Sequence, residues 1–146
     1  MPKPAYRGFR APYLRRLRED RGWTQERLAV EVGVFPTMIG KWESGRIVPE
    51  VATIARLAAA LGVRPQDFTE LGPEQATLTD LRLWAGLSRA QATARTGISE
   101  RRLYWFEHGT REPADDVAAA LARTYAVTPA VVRRAWERAR AAALAS

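Results

Sequence analysis

Cysteine is absent from the 146 residues, and histidine occurs once, as His108. Disulfides, thiolate zinc sites, cysteine nucleophiles and histidine-rich metal cages are therefore excluded, which fits a reducing, cytoplasmic compartment. No run approaches the roughly 18 apolar residues of a membrane span, and the first residues carry Lys3, Arg7 and Arg10 around prolines with no apolar stretch behind them. The expectation is a soluble chain with no membrane partner. Sustained two-residue alternation is missing too, so strands are not expected. The length is too small for a large Rossmann or barrel enzyme, and no nucleophile-base pair, glycine-rich phosphate loop or metal cluster suggests catalysis. No cofactor is called for.

What the chain does have is positive charge. The net charge is +7, which in a small soluble protein points first to nucleic acid. The excess is uneven: residues 1–12 carry +3, 13–70 carry +1, 71–129 are neutral and 130–146 carry +3. The hydrophobic fraction of 47% with 27% charged residues is that of a folding chain and not of a disordered one.

An internal repeat organises the rest. A shift of 64 residues superposes 13–68 on 77–132 without a gap, pairing Leu14 with Leu78, Arg18 with Arg82, Gly33 with Gly97, Glu43 with Glu107, Gly45 with Gly109, Leu57 with Leu121 and Pro65 with Pro129. Matches on glycines, prolines and apolar positions are matches where backbone geometry and packing dictate the residue, so both copies are expected to share one fold. In copy one, Pro12 suits a first helical position, Thr24 caps a second helix ending at Gly33, and a third helix with Pro36 near its start buries Ile39 and Trp42 and ends at Gly45. A fourth helix carries Val51 to Leu61, and a short fifth begins at Pro65. Copy two repeats the plan with Leu78 to Ala85, Ser88 capping Arg89 to Thr96, Ser99 capping Glu100 to Phe106, and Asp115 to Tyr125. Its last helix, capped by Thr128, continues to about Ala143.

Residues Trp23 to Gly45, WTQERLAVEVGVFPTMIGKWESG, resemble the XRE family of phage repressor and Cro-like DNA-binding domains, in which a Thr-Gln pair opens helix two and Trp-Glu-x-Gly closes helix three. The resemblance implies an all-α fold of two tandem five-helix, lambda-repressor-like helix-turn-helix domains. Their expected bounds are 13–70 and 77–134, with a basic arm at 1–12, a linker at 71–76 and a helical extension at 135–146. It further implies double-stranded DNA as partner. Carried over by position, Gln25 would bond a phosphate, Pro36, Thr37, Met38 and Lys41 would face bases, and Ser44 and Arg46 would meet phosphates. Phe35 departs from the family's Ser or Thr cap, leaving the helix start less well capped or supplying an apolar contact. Pro2 to Arg10, with Lys3, Arg7 and Arg10, would form either an arm that is mobile without DNA and follows its backbone or minor groove, or a solvated tail.

In copy two, Arg89 stands at the position of Gln25 and Ser99 at that of Phe35. Glu100, Arg101, Arg102, Tyr104 and Trp105 stand where copy one has Pro36, Thr37, Met38, Gly40 and Lys41. Arginines suit phosphates, whereas outward Tyr104 and Trp105 suit a protein interface. Copy two is thus expected either to assist DNA binding or to contact protein, and Ala92 and Thr96 in place of Leu28 and Val32 weaken its core. Glu43 and Glu107 are expected to pair with Arg18 and Arg82, and His108 to lie on the surface. The last helix places Val132, Trp136, Ala139 and Ala143 on one face, which would fold back on copy two or pair with a second molecule as a homodimer. The leading function is a sequence-specific transcriptional regulator, repressor-like. The alternative is a protein-interaction module of the same fold, such as an antitoxin or polymerase-binding adaptor.

Overall fold

The computed structural model describes residues 6–146, which divide after Glu70 into two compact units. The first contains α1 (Ala11–Asp20), α2 (Gln25–Val32), α3 (Pro36–Glu43), α4 (Val51–Leu61) and a 3-10 turn at Pro65–Phe68. In the second, a 3-10 turn at Pro73–Gln75 precedes α5 (Leu78–Trp84), α6 (Arg89–Thr96), α7 (Glu100–Glu107), α8 (Asp115–Tyr125) and α9 (Pro129–Ala145). The architecture is all-α, with one isolated bridge, Phe9 to Thr69, among the described residues.

The helix boundaries follow from capping chemistry. Thr24, Ser88, Ser99 and Thr128 each accept a hydrogen bond from the backbone N–H three residues on, at 3.1 to 3.2 Å, which satisfies one of the donors that every helix start leaves orphaned. Phe35 has no group with which to do this, and α3 starts without a side-chain cap, helped by Pro36 in its first turn. Between α2 and α3, and between α6 and α7, the chain reverses at Gly33 and Gly97, with φ of 72° and 75°. A side chain would make that backbone costly.

In the first unit Leu14, Leu28, Ile39, Ile54 and Leu57 are fully enclosed, with Trp42 and Phe68 beside them in the core. The second unit buries the matching Leu78, Leu103, Ala118 and Leu121, and adds a wall that the first does not have. There the short turn Pro65–Phe68 is replaced by the long α9, which packs on α5, α7 and α8 and buries Val132, Ala135, Trp136 and Ala139. The apolar face of α9 is thereby covered within the unit, so folding back is what occurs. Pairing with a second molecule through Trp136 would first require undocking it. Ala143, expected on the same stripe, is exposed. Where the first unit has Leu28 and Val32 the second has Ala92 and Thr96, and the Thr96 hydroxyl donates to the Ala92 carbonyl at 2.8 Å.

One expectation about a terminal segment is corrected. Residues 6–10 are not a loose arm. Tyr6 is buried and its hydroxyl donates to the Pro65 carbonyl, Phe9 stacks on Phe68 at 5.8 Å, and Arg10 N and Glu70 N bond to Phe68 O and Gly8 O at 2.7 and 3.0 Å. Aromatic burial outweighs the freedom that a basic, proline-bearing segment would otherwise keep. Lys3 lies outside the described residues. Residues 71–76 are packed against the second unit: Ala76 is fully buried, and Arg138 of α9 donates to the carbonyls of Pro73 and Ala76 at 3.2 and 2.9 Å.

Candidate nucleic-acid interface

Each unit sets the angle of its third helix with one buried ion pair. Arg18 donates from Nε and Nη2 to the Glu43 carboxylate at 2.6 and 2.9 Å, and from Nη1 to the Trp23 carbonyl at 2.7 Å. Arg82 does the same to Glu107 at 2.6 and 3.1 Å and to the Leu87 carbonyl at 3.1 Å. The planar guanidinium fork matches the carboxylate in two parallel bonds, tying the first helix to the third while its remaining arm holds the loop that enters the second. Hydrogen bonding to Glu43 raises the Arg18 pKa further above its ordinary value, so the guanidinium stays charged at any working pH. The acidic residues on an otherwise basic face are thus structural, as expected.

On this base the outer side of α3 is laid out. Ile39 and Trp42 point into the core, while Pro36, Thr37 and Lys41 are exposed and Met38 is half-buried. Gln25, the first residue of α2, donates from Nε2 to Glu43 at 3.2 Å and lies across Gly40, where even a Cβ would stand 3.7 Å from its amide. The amide is oriented by Glu43, and its second N–H and its carbonyl are left for an outside partner. Arg46 is exposed, and the Ser44 hydroxyl bonds back to the Lys41 carbonyl at 3.1 Å. Phe35, which leaves the start of α3 without a side-chain cap, stands 79% exposed at the tip of the turn. Arg7 and Arg10 are exposed but belong to the docked segment, with the Arg10 guanidinium 4.3 Å over the Tyr13 ring and bonded to the Asp67 carbonyl at 3.2 Å.

The second unit keeps the frame and changes the face. Ser99 is occupied as the cap of α7, and Glu100, Arg101 and Arg102 are exposed on its first turn. Tyr104 and Trp105, expected to stand outward, are only half-exposed because cations and a histidine cover them. Arg89 lies 5.5 Å over Tyr104, His108 stacks on the same ring at 3.8 Å, and Arg111 lies 4.0 Å over Trp105. Arg89 is also drawn inward by Glu107, 3.7 Å from its Nη2, an electrostatic contact too long to be a hydrogen bond. Arg111 was not among the residues expected at the interface. Its signal was its place beside the position of Arg46, masked because the residue it matches is the apolar Ile47.

Two helices joined by a glycine turn, the second pinned with an open polar face and the whole built twice, define a tandem helix-turn-helix protein. The family model described as "Helix-turn-helix domain" matches the chain over residues 11–71 and again over 76–136, and the chain belongs to that family, which is one of regulators and not of enzymes. Over 69 residues it is 38% identical to the HTH-type transcriptional regulator SutR of Escherichia coli strain K12, covering 47% of this chain and 38% of that protein. Over 47 residues it is 40% identical to Multiprotein-bridging factor 1 of Eremothecium gossypii, covering 32% of this chain and 31% of that one. The matched segments thus span well under half the length of these curated relatives. No solved structure matches the chain significantly. No helix among the described residues is long and apolar enough to cross a membrane.

Proposed function

We propose that the chain is a sequence-specific, double-stranded DNA-binding transcriptional regulator of repressor type, with α3 reading the major groove and the second unit assisting. The observation that carries this reading is the outer face of α3: Thr37, Met38 and Lys41 lie between a Gln25 amide oriented by Glu43 and the exposed Arg46. A hydroxyl, a soft apolar group and a flexible cation can address base edges, while the flanking amide and guanidinium address phosphates. The similarity to a transcriptional regulator over 69 residues supports the same reading.

Binding-site selection from random duplex should enrich a motif. On that motif Lys41→Ala should cost about 1–3 kcal/mol and relax one base position, whereas Gln25→Ala should weaken all duplexes alike. Equal loss on cognate and scrambled DNA for Lys41→Ala would remove Lys41 from base reading.

One observation favours the adaptor reading as second: α7 presents a half-exposed tryptophan where α3 has lysine, and one relative carries the name of a bridging factor. Failure to enrich any motif, with capture of a partner that Trp105→Ala abolishes, would decide for it.

A further inference from the structure

We infer that the α7 face of the second unit is a sequence-independent clamp for the phosphodiester backbone of duplex DNA, built from Arg101 and Arg111 around Trp105 with Arg102 beside them over Phe106. The inference rests on the DNA-binding reading above and states what the second unit contributes to it.

The backbone after the third helix is the same in both units. Arg46 N and Ile47 N bond to Lys41 O at 3.0 and 3.3 Å, and Thr110 N and Arg111 N bond to Trp105 O at 2.9 and 3.4 Å. Residues 105 and 111 therefore occupy the places of 41 and 47, with the apolar and cationic side chains exchanged between helix and loop. The exchange moves the positive charge off the helix axis to the rim, where phosphates lie when a third helix approaches a groove. Trp105 has no forked donor with which to read a base, and Arg111 covers its ring at 4.0 Å. Glu100, in the first turn of α7, adds a negative charge where a groove-inserting helix would meet the acidic duplex.

The cations, by contrast, have no described carboxylate partner. Arg101, Arg102 and Arg111 are exposed, and none is paired with a described carboxylate, unlike Arg15, Arg18, Arg27, Arg64, Arg82 and Arg133. Arg101 and Arg111 lie 5.9 and 4.0 Å from the Trp105 ring. A guanidinium resting on an indole face keeps its in-plane N–H groups available and loses less freedom when a phosphate is bound. The helix-two contact available to Gln25 is replaced, because Arg89 is held inward by Glu107 and Tyr104. Arg101 and Arg111 on the Trp105 ring, with Arg102 beside them 5.7 Å over Phe106, thus group three cations without a described carboxylate partner, a set complementary to phosphate oxygens.

The test measures binding of the full chain to its selected duplex and to a scrambled duplex across a range of salt concentrations. Arg101→Gln/Arg111→Gln should flatten the slope of log K against log salt by about 1.8, two contacts at about 0.9 each, on both duplexes alike. The cognate-to-scrambled ratio should not change. Arg123→Gln/Arg134→Gln, which removes the same charge from exposed positions on α8 and α9, should leave the slope nearly as it was. Trp105→Leu keeps every charge and should weaken both duplexes about two- to fivefold through loss of the stacking platform. An unchanged slope in the α7 variant that still binds DNA would overturn the clamp alone, and capture of an acidic protein by those arginines would then reassign the face. Loss confined to the cognate duplex would overturn it in favour of base reading. Absence of binding by the wild-type chain at every salt would overturn the DNA-binding reading itself, and the clamp with it.

Discussion

Replacing Arg82 by methionine tests whether the buried ion pair holds the second unit together. The Arg82 and Glu107 side chains are 3% and 0% exposed, and the guanidinium makes two bonds to the carboxylate and one to the Leu87 carbonyl. Without it, Glu107 stays buried with Arg89 at 3.7 Å as its remaining cation, and the Leu87 carbonyl loses the donor. Removing one partner of such a pair costs about 3–5 kcal/mol, because an uncompensated charge is left inside. A unit of this size has of order 4–11 kcal/mol to lose, at about 0.05–0.15 kcal/mol per residue, so Arg82→Met should bring α5 to α9 to the edge of unfolding. Arg82→Met/Glu107→Leu removes both charges and should recover most of the loss, leaving mainly the Leu87 carbonyl, worth about 1–3 kcal/mol if it stays dry.

Amide hydrogen exchange resolved by segment is the suitable assay, since protection in α1 and α4 serves as an internal reference while α5 and α8 report the damage. Arg18→Met should cost less, because its pair is 10% and 4% exposed and water reaches it more easily. A single variant costing under about 1 kcal/mol, or a double variant no more stable than the single, would refute the assignment of the pair as the pin between α5 and α7.

Further outcomes follow from single positions. Ala126 ends α8 at φ 56°, where the first unit has Gly62; Ala126→Gly should raise the stability of the second unit by about 1 kcal/mol, read as a higher unfolding midpoint, and a fall would contradict the strain argument. At Gly109 a Cβ would stand 2.4 Å from the Arg140 Cα, whereas at Gly45 the nearest atom is the Ala11 Cβ at 3.9 Å. Gly109→Ala should therefore cost about 1–3 kcal/mol more than Gly45→Ala, although both pay for positive φ; equal costs would mean that α9 yields freely. Burial, with the Glu107 charge adding and Arg82 opposing, pushes the Tyr125 pKa above its ordinary value, and its hydroxyl has no hydrogen-bond partner among the described residues. In the unfolded chain the phenol ionises near pH 10 while the folded one holds its proton, so this residue's contribution is intact below about pH 10 and is lost as pH rises beyond it. Tyr125→Phe should leave neutral stability unchanged and remove that alkaline decline from the difference between the two pH profiles; identical profiles would refute the buried hydroxyl.

The helices were legible because their ends are written in local chemistry. Thr24, Ser88, Ser99 and Thr128 cap, Gly33 and Gly97 turn, and the repeat supplies a second reading of each boundary. What was not legible depends on partners far along the chain or on backbone atoms. Tyr6 and Phe9 sit in a segment without helical period, and the ring that Phe9 stacks on, Phe68, is 59 residues further on. Arg138 secures Pro73 and Ala76 through their carbonyls, which every residue owns and no pattern marks. A helical wheel correctly turned Tyr104 and Trp105 away from Leu103 and Phe106, but it gives direction only. That Arg89 and Arg111 would lie on those rings depends on loop geometry.

The differences between the copies fall in coupled pairs, and this bears on what each face can do. Gln25 lies across Gly40 because no side chain intervenes, and in the second unit both members change together, Arg89 reaching over Tyr104. A longer, cationic residue needs a larger surface to rest on, and Glu107 then holds it where Glu43 holds an amide. Likewise Lys41 and Ile47 exchange character with Trp105 and Arg111 over an unchanged backbone. Arg18–Glu43 and Arg82–Glu107 tie the third helix to the first in both units, and over that common tie the two units place their charge differently. On α3 it stands on the helix, within reach of a groove floor; on the second unit it stands at the first turn and in the following loop, within reach of the groove's edges. On the DNA-binding function proposed above, a tandem built this way would take sequence preference from one unit and electrostatic grip from the other, so that altering Lys41 should change which duplex is chosen while altering Arg111 should change how strongly salt competes for it.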